Sequence, residues 1–162
     1  MRTLLCSVLL ALILVMPARA GNLLDLAVVD RDTGQTLSTY VHTGKLYVPG
    51  TPGHRYAVRL SNRTGARLLA VLSVDGVNAV SGETASANQG GYVLDAWEST
   101  EINGWRKSLD EVAQFNFTTL SDSYAAQTGR PANVGVIGVA VFTERARRWI
   151  AEPRKERVPA PS

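Results

Sequence analysis

The chain reads as an all-β protein, an antiparallel β-sandwich or jelly roll of about eight to ten short strands with at most one or two short helices. Three observations predict this. Beyond Leu23 the apolar residues recur with period two, not 3.6. The strand-like runs return at intervals of roughly 8–12 residues. Gly, Pro, Asn and Asp fill the gaps between them, as turns require.

In order along the chain, LLDLAVVD (23–30) is the first strand. DRDTGQ (30–35) turns and TLSTYVH (36–42) returns, so the two read as a hairpin. KLYV (45–48) ends at the breaker Pro49-Gly50-Thr51-Pro52-Gly53. YAVRLSN (56–62) alternates apolar Tyr56, Val58 and Leu60 with Ala57, Arg59 and Ser61. RLLAVLSV (67–74) is a buried strand that runs into Asp75-Gly76, a strong hairpin signal, with VNAV (77–80) returning. The loop 81–91, SGETASANQGG, is small and polar. GYVL (91–94), STEI (99–102), EVAQFNF (111–117) and NVGVIGVAVF (133–142) complete the set. The last, with small residues on both faces, reads as a central strand closely approached by neighbours. Asn103-Gly104 reads as a turn. One helical turn is expected at 108–115, where Ser108 and Glu111 match a capping box, or at 121–129.

The ends of the chain carry other information. Arg2, the apolar run 4–16 and the small-x-small triplet Ala18-Arg19-Ala20 make a secretory signal peptide over 1–20. The run is shorter than the ~20 apolar residues of a membrane span. No transmembrane segment is expected after cleavage. A single domain then occupies 21–143, followed by a basic, Pro-containing tail over 144–162, a short helix and then disorder. The only cysteine, Cys6, lies in the signal, which excludes a disulfide scaffold, a thiol nucleophile and cysteine zinc sites in the domain. The expected location is periplasmic or extracellular, at the cell surface.

Charge narrows the partners. Lys and Arg number 17 against 14 Asp and Glu, yet residues 21–142 hold nine basic and eleven acidic side chains. A slightly acidic body is a poor ligand for polyanions, so nucleic acid is not an expected partner.

No catalytic residues are assigned. The histidines of the domain, His42 and His54, stand in no recognised motif, and no G-x-S-x-G elbow exists. Asp30 and Asp32 begin like a calcium loop, but the third ligand, the glycine position and the terminal Glu are missing, so they are weak candidates and no metal is expected. No cofactor-binding loop is present, and no cofactor is expected. Binding residues are the remaining class. Trp105 beside Arg106 and Lys107 can stack on a ligand and grip an anion, or Trp105 can fold inward as a core plug. Tyr92 and Trp97 face the same choice. Asp75, Asn78 and Asn133, on polar loops, complete the candidates.

The runs NRTGARLLAVLSVDGVNAVSGETASANQGGYVL, GWRKSLDEVAQFNF and SYAAQTGRPANVGVIGVAVF together resemble a group of uncharacterised exported bacterial proteins with the same block order. The resemblance covers roughly residues 56–142 and rests on Asp75-Gly76-Val77-Asn78, Gly82, Gly91-Tyr92, Gly104-Trp105-Arg106-Lys107 and Asn133-Val134-Gly135. It implies a single β-rich envelope domain. It brings no activity, catalytic residue or ligand with it.

The expected function is a non-catalytic binding or interaction module of the cell envelope, with envelope polysaccharide or protein as partner. Two alternatives stand beside it. One is a hydrolase using His42 or His54 with a nearby acid. The other is a structural accessory domain that pairs through a sheet edge.

Overall fold

The computed structural model describes residues 23–106 and 112–145. In chain order the strands are Leu24–Asp30 (β1), Tyr40–His42 (β2), Lys45–Tyr47 (β3), Arg55–Asn62 (β4), Leu68–Val74 (β5), Val77–Asn78 (β6), Tyr92–Leu94 (β7), Ser99–Ile102 (β8), Gly104–Arg106 (β9), Val112–Asn116 (β10) and Ile137–Thr143 (β11). A four-residue helix, Tyr124–Gln127 (α1), precedes β11. The protein is all-β, and every strand pairing is antiparallel.

Two sheets are built on consecutive central strands. In the first, β4 pairs along its whole length with β1, from Leu24 opposite Asn62 to Asp30 opposite Tyr56. On its other side β8 pairs with residues 58–61 and β10 with Arg55 and Tyr56. In the second sheet, β5 pairs with β11 on one side, and with β6 and β7 in succession on the other. A two-stranded ribbon, β2 and β3, stands apart.

The period-two pattern does what it predicts. Tyr56, Val58 and Leu60 of β4 and Leu68, Ala70, Leu72 and Val74 of β5 are all buried and belong to one apolar cluster. Leu24, Val28, Val77, Ala79, Leu94, Ile102, Trp105, Phe115 and Ala125 complete it, so both sheets share a single core. Within it runs a row of aromatic rings. Phe117 stacks on Tyr56 at 4.4 Å, Tyr56 on Phe115 at 5.3 Å, and Trp105 meets Phe115 edge-on at 4.6 Å and stacks with Tyr124 at 5.0 Å. Such pairs add about 0.5–1.5 kcal/mol each beyond burial.

Three expectations need correction. The turn 30–35 closes as expected, with the Asp30 N–H donating to the Gln35 carbonyl at 2.9 Å, but the returning strand makes only one bridge, Val29 to Thr36. The chain then leaves β1, and 40–42 pairs with 45–47 instead.

Asn103-Gly104 is not a turn. Residues 99–106 run on as one strand interrupted only at Asn103, and its pairing forks. The first half lies on β4 and the second half on β10, which wedges in beside it. The close approach needs glycine, since a Cβ at Gly104 would stand 2.0 Å from the Ala113 carbonyl oxygen.

The strand expected over 133–142 begins at Ile137 and is an edge, not a centre. Its glycines mislead. Gly135 takes φ +79° in the turn before the strand, and Gly138 packs beside Ser73.

Of the two helix sites, 124–127 is the helix, capped by Ser123, whose Oγ accepts the Ala126 N–H at 3.2 Å. Val112–Asn116 is strand, and the Ser108–Glu111 box lies outside the described residues. So do the signal peptide and all of the tail beyond Arg145. Among the described residues no helix is long and apolar enough to cross a membrane.

Candidate functional site

The turn after β1 builds the most chemically organised cluster of the described residues. Asp30 ends the strand buried, with only 3% of its surface exposed. Its Oδ1 accepts the Asp32 N–H at 2.9 Å and the Thr33 N–H at 3.0 Å, an Asx turn. Its Oδ2 lies 2.8 Å from His54 Nδ1. His54 sits at the end of the Pro-Gly loop, held by its N–H to the Thr51 carbonyl and by the Phe117 N–H donating to its own carbonyl. With Asp30 ionised, Nδ1 is the nitrogen that donates, and a neutral His54 presents Nε2 as an acceptor.

Asp32 is clamped by the next residue. Oδ2 accepts the Arg55 backbone N–H at 2.6 Å, and Oδ1 accepts Nε at 2.9 Å and also Nη2. Ligand atoms of Asp30, Asp32 and His54 all fall within 4.8 Å of one another. Arg55 supplies the positive charge beside Asp32, and His54 occupies the free oxygen of Asp30, so the cluster is satisfied from within the protein. Asp32, His54 and Arg55 border a shallow cleft of about 870 Å³ with Gln114, Asn116, Thr118 and Asp122. Sequence reasoning named Asp30, Asp32 and His54, but neither their meeting nor Arg55. His42 lies elsewhere, its ring 6.3 Å from that of Tyr47, with no carboxylate paired to it among the described residues.

These contacts have a pH consequence. The His54 hydrogen bond, outweighing desolvation, holds the Asp30 carboxyl below its ordinary range. A carboxyl depressed in the folded state stabilises fully above its unfolded value, near 3.9, and loses that contribution as pH falls through the folded value. Asp30→Asn is therefore expected to lower the melting temperature at pH 7 and to flatten its decline between about pH 4 and pH 2. Parallel acid limbs for the two proteins would show that the pair contributes nothing.

The candidates around the 75–76 turn separate into different places. Asp75 and Gly76 have φ of 56° and 73°, the left-handed pair of a type I′ hairpin turn between β5 and β6. Asp75 Oδ1 accepts the Gly135 N–H at 2.8 Å. Burial pushes its carboxyl up, against the pull of that N–H. A Cβ on Gly76 would stand 2.9 Å from the Asn133 side chain, so this turn packs against the loop before β11. The structure thus brings Asp75 and Asn133 together.

Asn78 is fully buried, and both ends of its amide are in use. Oδ1 accepts the Val80 and Ser81 N–H groups at 2.7 and 3.1 Å, and Nδ2 donates to Gln89 Oε1 and the Gly90 carbonyl, each at 3.1 Å. It is the internal anchor of the 81–91 loop. Asn62 does the same for the β4–β5 connection, donating to the Ala66 and Asp95 carbonyls and accepting the Thr64 N–H.

Trp105 is the core plug, 5% exposed between Phe115 and Tyr124, so it presents no stacking face. Its Nε1 has no hydrogen-bond partner among the described residues. Arg106 is exposed, and its charge opposes the burial that raises the Tyr92 hydroxyl. The two line a small cleft of about 190 Å³ with Glu101, Asn103 and Val112. Lys107 lies outside the described residues. Trp97 is the exposed aromatic, 68% open, on a left-handed residue beside Gly65.

The second structural feature with a consequence for binding is β11. Its partner among the described residues is β5 alone, and its other side is unpaired. All seven residues, IGVAVFT, are uncharged. The opposite sheet treats its own outer strand differently. There β1 carries the exposed, ion-paired Asp25, and the Leu37 N–H covers the Val28 carbonyl. Charge and cover are the usual means of blunting an edge, and among the described residues β11 has neither. Comparison of the chain with family models, with curated proteins and with solved structures gives no match.

Proposed function

We propose that this chain is an exported, non-catalytic interaction module of the cell envelope that joins a protein partner by lending β11 as an added strand. The observation that carries this reading is the seven-residue, uncharged, half-exposed edge with one side unpaired among the described residues. Backbone N–H and C=O groups along such an edge supply affinity, and the alternating side chains supply specificity. The inward placement of Trp105 and Asn78 favours a protein partner over a polysaccharide stacked on the loops.

The test is capture from envelope extract of cells that produce both a tagged and an untagged chain. The tagged chain is expected to retain a bound protein. Ala140→Lys, which sets a charge at the middle of the edge strand, is expected to release it. A partner held equally by both versions removes the edge from the function.

The Asp30–His54 pair on a cleft wall supports a second reading, hydrolysis with His54 as general base and Asp30 orienting it. On this reading the chain turns over a chromogenic ester or glycoside, and His54→Gln abolishes that turnover while the melting temperature stays within a few degrees. Residual activity unchanged in His54→Gln rejects it.

A further inference from the structure

We infer that the strand added to β11 is the β11 of a second copy, paired antiparallel about a two-fold axis at Ala140. This rests on the edge-pairing reading and names its partner. Strand Ile137–Thr143 has Ala140 at its centre. Antiparallel pairing about that residue uses all seven positions and sets Ile137 against Thr143 of the partner subunit, Val139 against Val141 and Gly138 against Phe142.

Three features of the edge suit that register. The first is shape on the outer face. Gly138, Ala140 and Phe142 alternate there, opposite Ser73, Val71 and Leu69 of β5. Phe142 is 43% exposed, and across the two-fold axis its ring would lie over Gly138 of the other copy, where no side chain competes for the space. An aromatic ring laid across a strand glycine is a recurrent way of covering that gap. The small Ala140 faces itself at the axis, where a larger residue would meet its own copy.

The second feature is charge. A two-fold axis sets each residue near the axis against its own copy, so a single Lys or Glu there repels itself. Residues 137–143 carry none. The third is the extension of the patch. Phe142, Leu69 and Val93 are directly opposite one another on adjacent strands, so the outer face beside the edge is an apolar row, with Val93 59% exposed. Pairing would continue the second sheet across two subunits and shelter this row at its β11 end.

The interface is small. Standard stable interfaces bury about 1,600 Å², and one pair of seven-residue strands falls below that, so the dimer is expected to depend on concentration.

The experiment uses the full chain carrying Cys6→Ser, which leaves no other thiol. Ala140→Cys places a thiol at the axis, where directly opposed residues have Cα atoms about 4.5–5.5 Å apart, within disulfide range. Mild oxidation is expected to give a covalent dimer. Phe142→Cys is expected to give no covalent dimer, since its two copies would lie four residues out of register. Sedimentation of the Cys6→Ser chain should show a monomer–dimer equilibrium that Ala140→Lys shifts to monomer, with circular dichroism and melting temperature unchanged. A chain monomeric at all concentrations, or one whose Phe142→Cys variant links as readily as Ala140→Cys, overturns the proposal. If the chain is monomeric yet Ala140→Lys still releases a captured envelope protein, the edge-pairing reading stands and only the second copy is lost.

Discussion

Asn78→Ala is expected to lower stability by about 3 kcal/mol and the melting temperature by about 10 °C. The magnitude follows from what the side chain does. Its amide satisfies two backbone N–H groups with one end, and a carbonyl and a glutamine oxygen with the other, at full burial. Alanine removes the partner of each, and an unsatisfied buried group costs about 1–3 kcal/mol. Asn78→Asp is not a conservative change here. Its first oxygen still accepts from Val80 and Ser81, but the second would face the acceptors Gln89 Oε1 and the Gly90 carbonyl. Denaturant unfolding of the three proteins checks this. A ligand-binding role for Asn78 would show the reverse, unchanged stability with binding lost. Because the anchored loop covers 81–91, amide exchange should accelerate there first in the alanine variant.

Phe115→Ala is expected to cost about 3–5 kcal/mol, and in a domain of this size that is a large share of the total. Phe115 is fully buried at the middle of the aromatic row, stacked on Tyr56 and meeting Trp105 edge-on. It also sits on β10 opposite Tyr56, at the point where β10 joins β4. Truncation opens a cavity between two rings that cannot collapse without shifting β9 or α1. Phe115→Leu refills much of that space and should cost clearly less. Urea midpoints decide the matter. Equal losses for leucine and alanine would mean that ring geometry, not volume, holds the row. A loss under about 1 kcal/mol for alanine would mean that the site closes freely.

Both predictions concern residues whose surroundings the sequence describes unevenly. The alternation of Phe115 with Gln114 and Asn116 marks it as inward from the sequence alone. Asn78 carries no such mark. It interrupts an apolar strand after an Asp-Gly turn, a position equally suited to a displayed amide or a buried anchor. The four groups that choose between these come from the loop folding back over it, and their spacing follows no short motif. Trp105 was likewise open between plug and platform until Phe115 and Tyr124 closed on both sides of it.

The all-β class, the inward faces of β4 and β5 and the Asp75-Gly76 turn were determined by the sequence by itself. Each depends on local sterics. Side chains alternate across a strand, and only certain residues tolerate φ near +60°. Tertiary structure alone decided the rest. It made 137–143 an edge, forked the pairing of 99–106, and brought Asp30 to His54 from 24 positions away. Period two says which face of a strand is buried. It says nothing of which strand lies alongside, because that choice is made by packing among residues far apart in the chain. The function proposed for β11 depends on that choice.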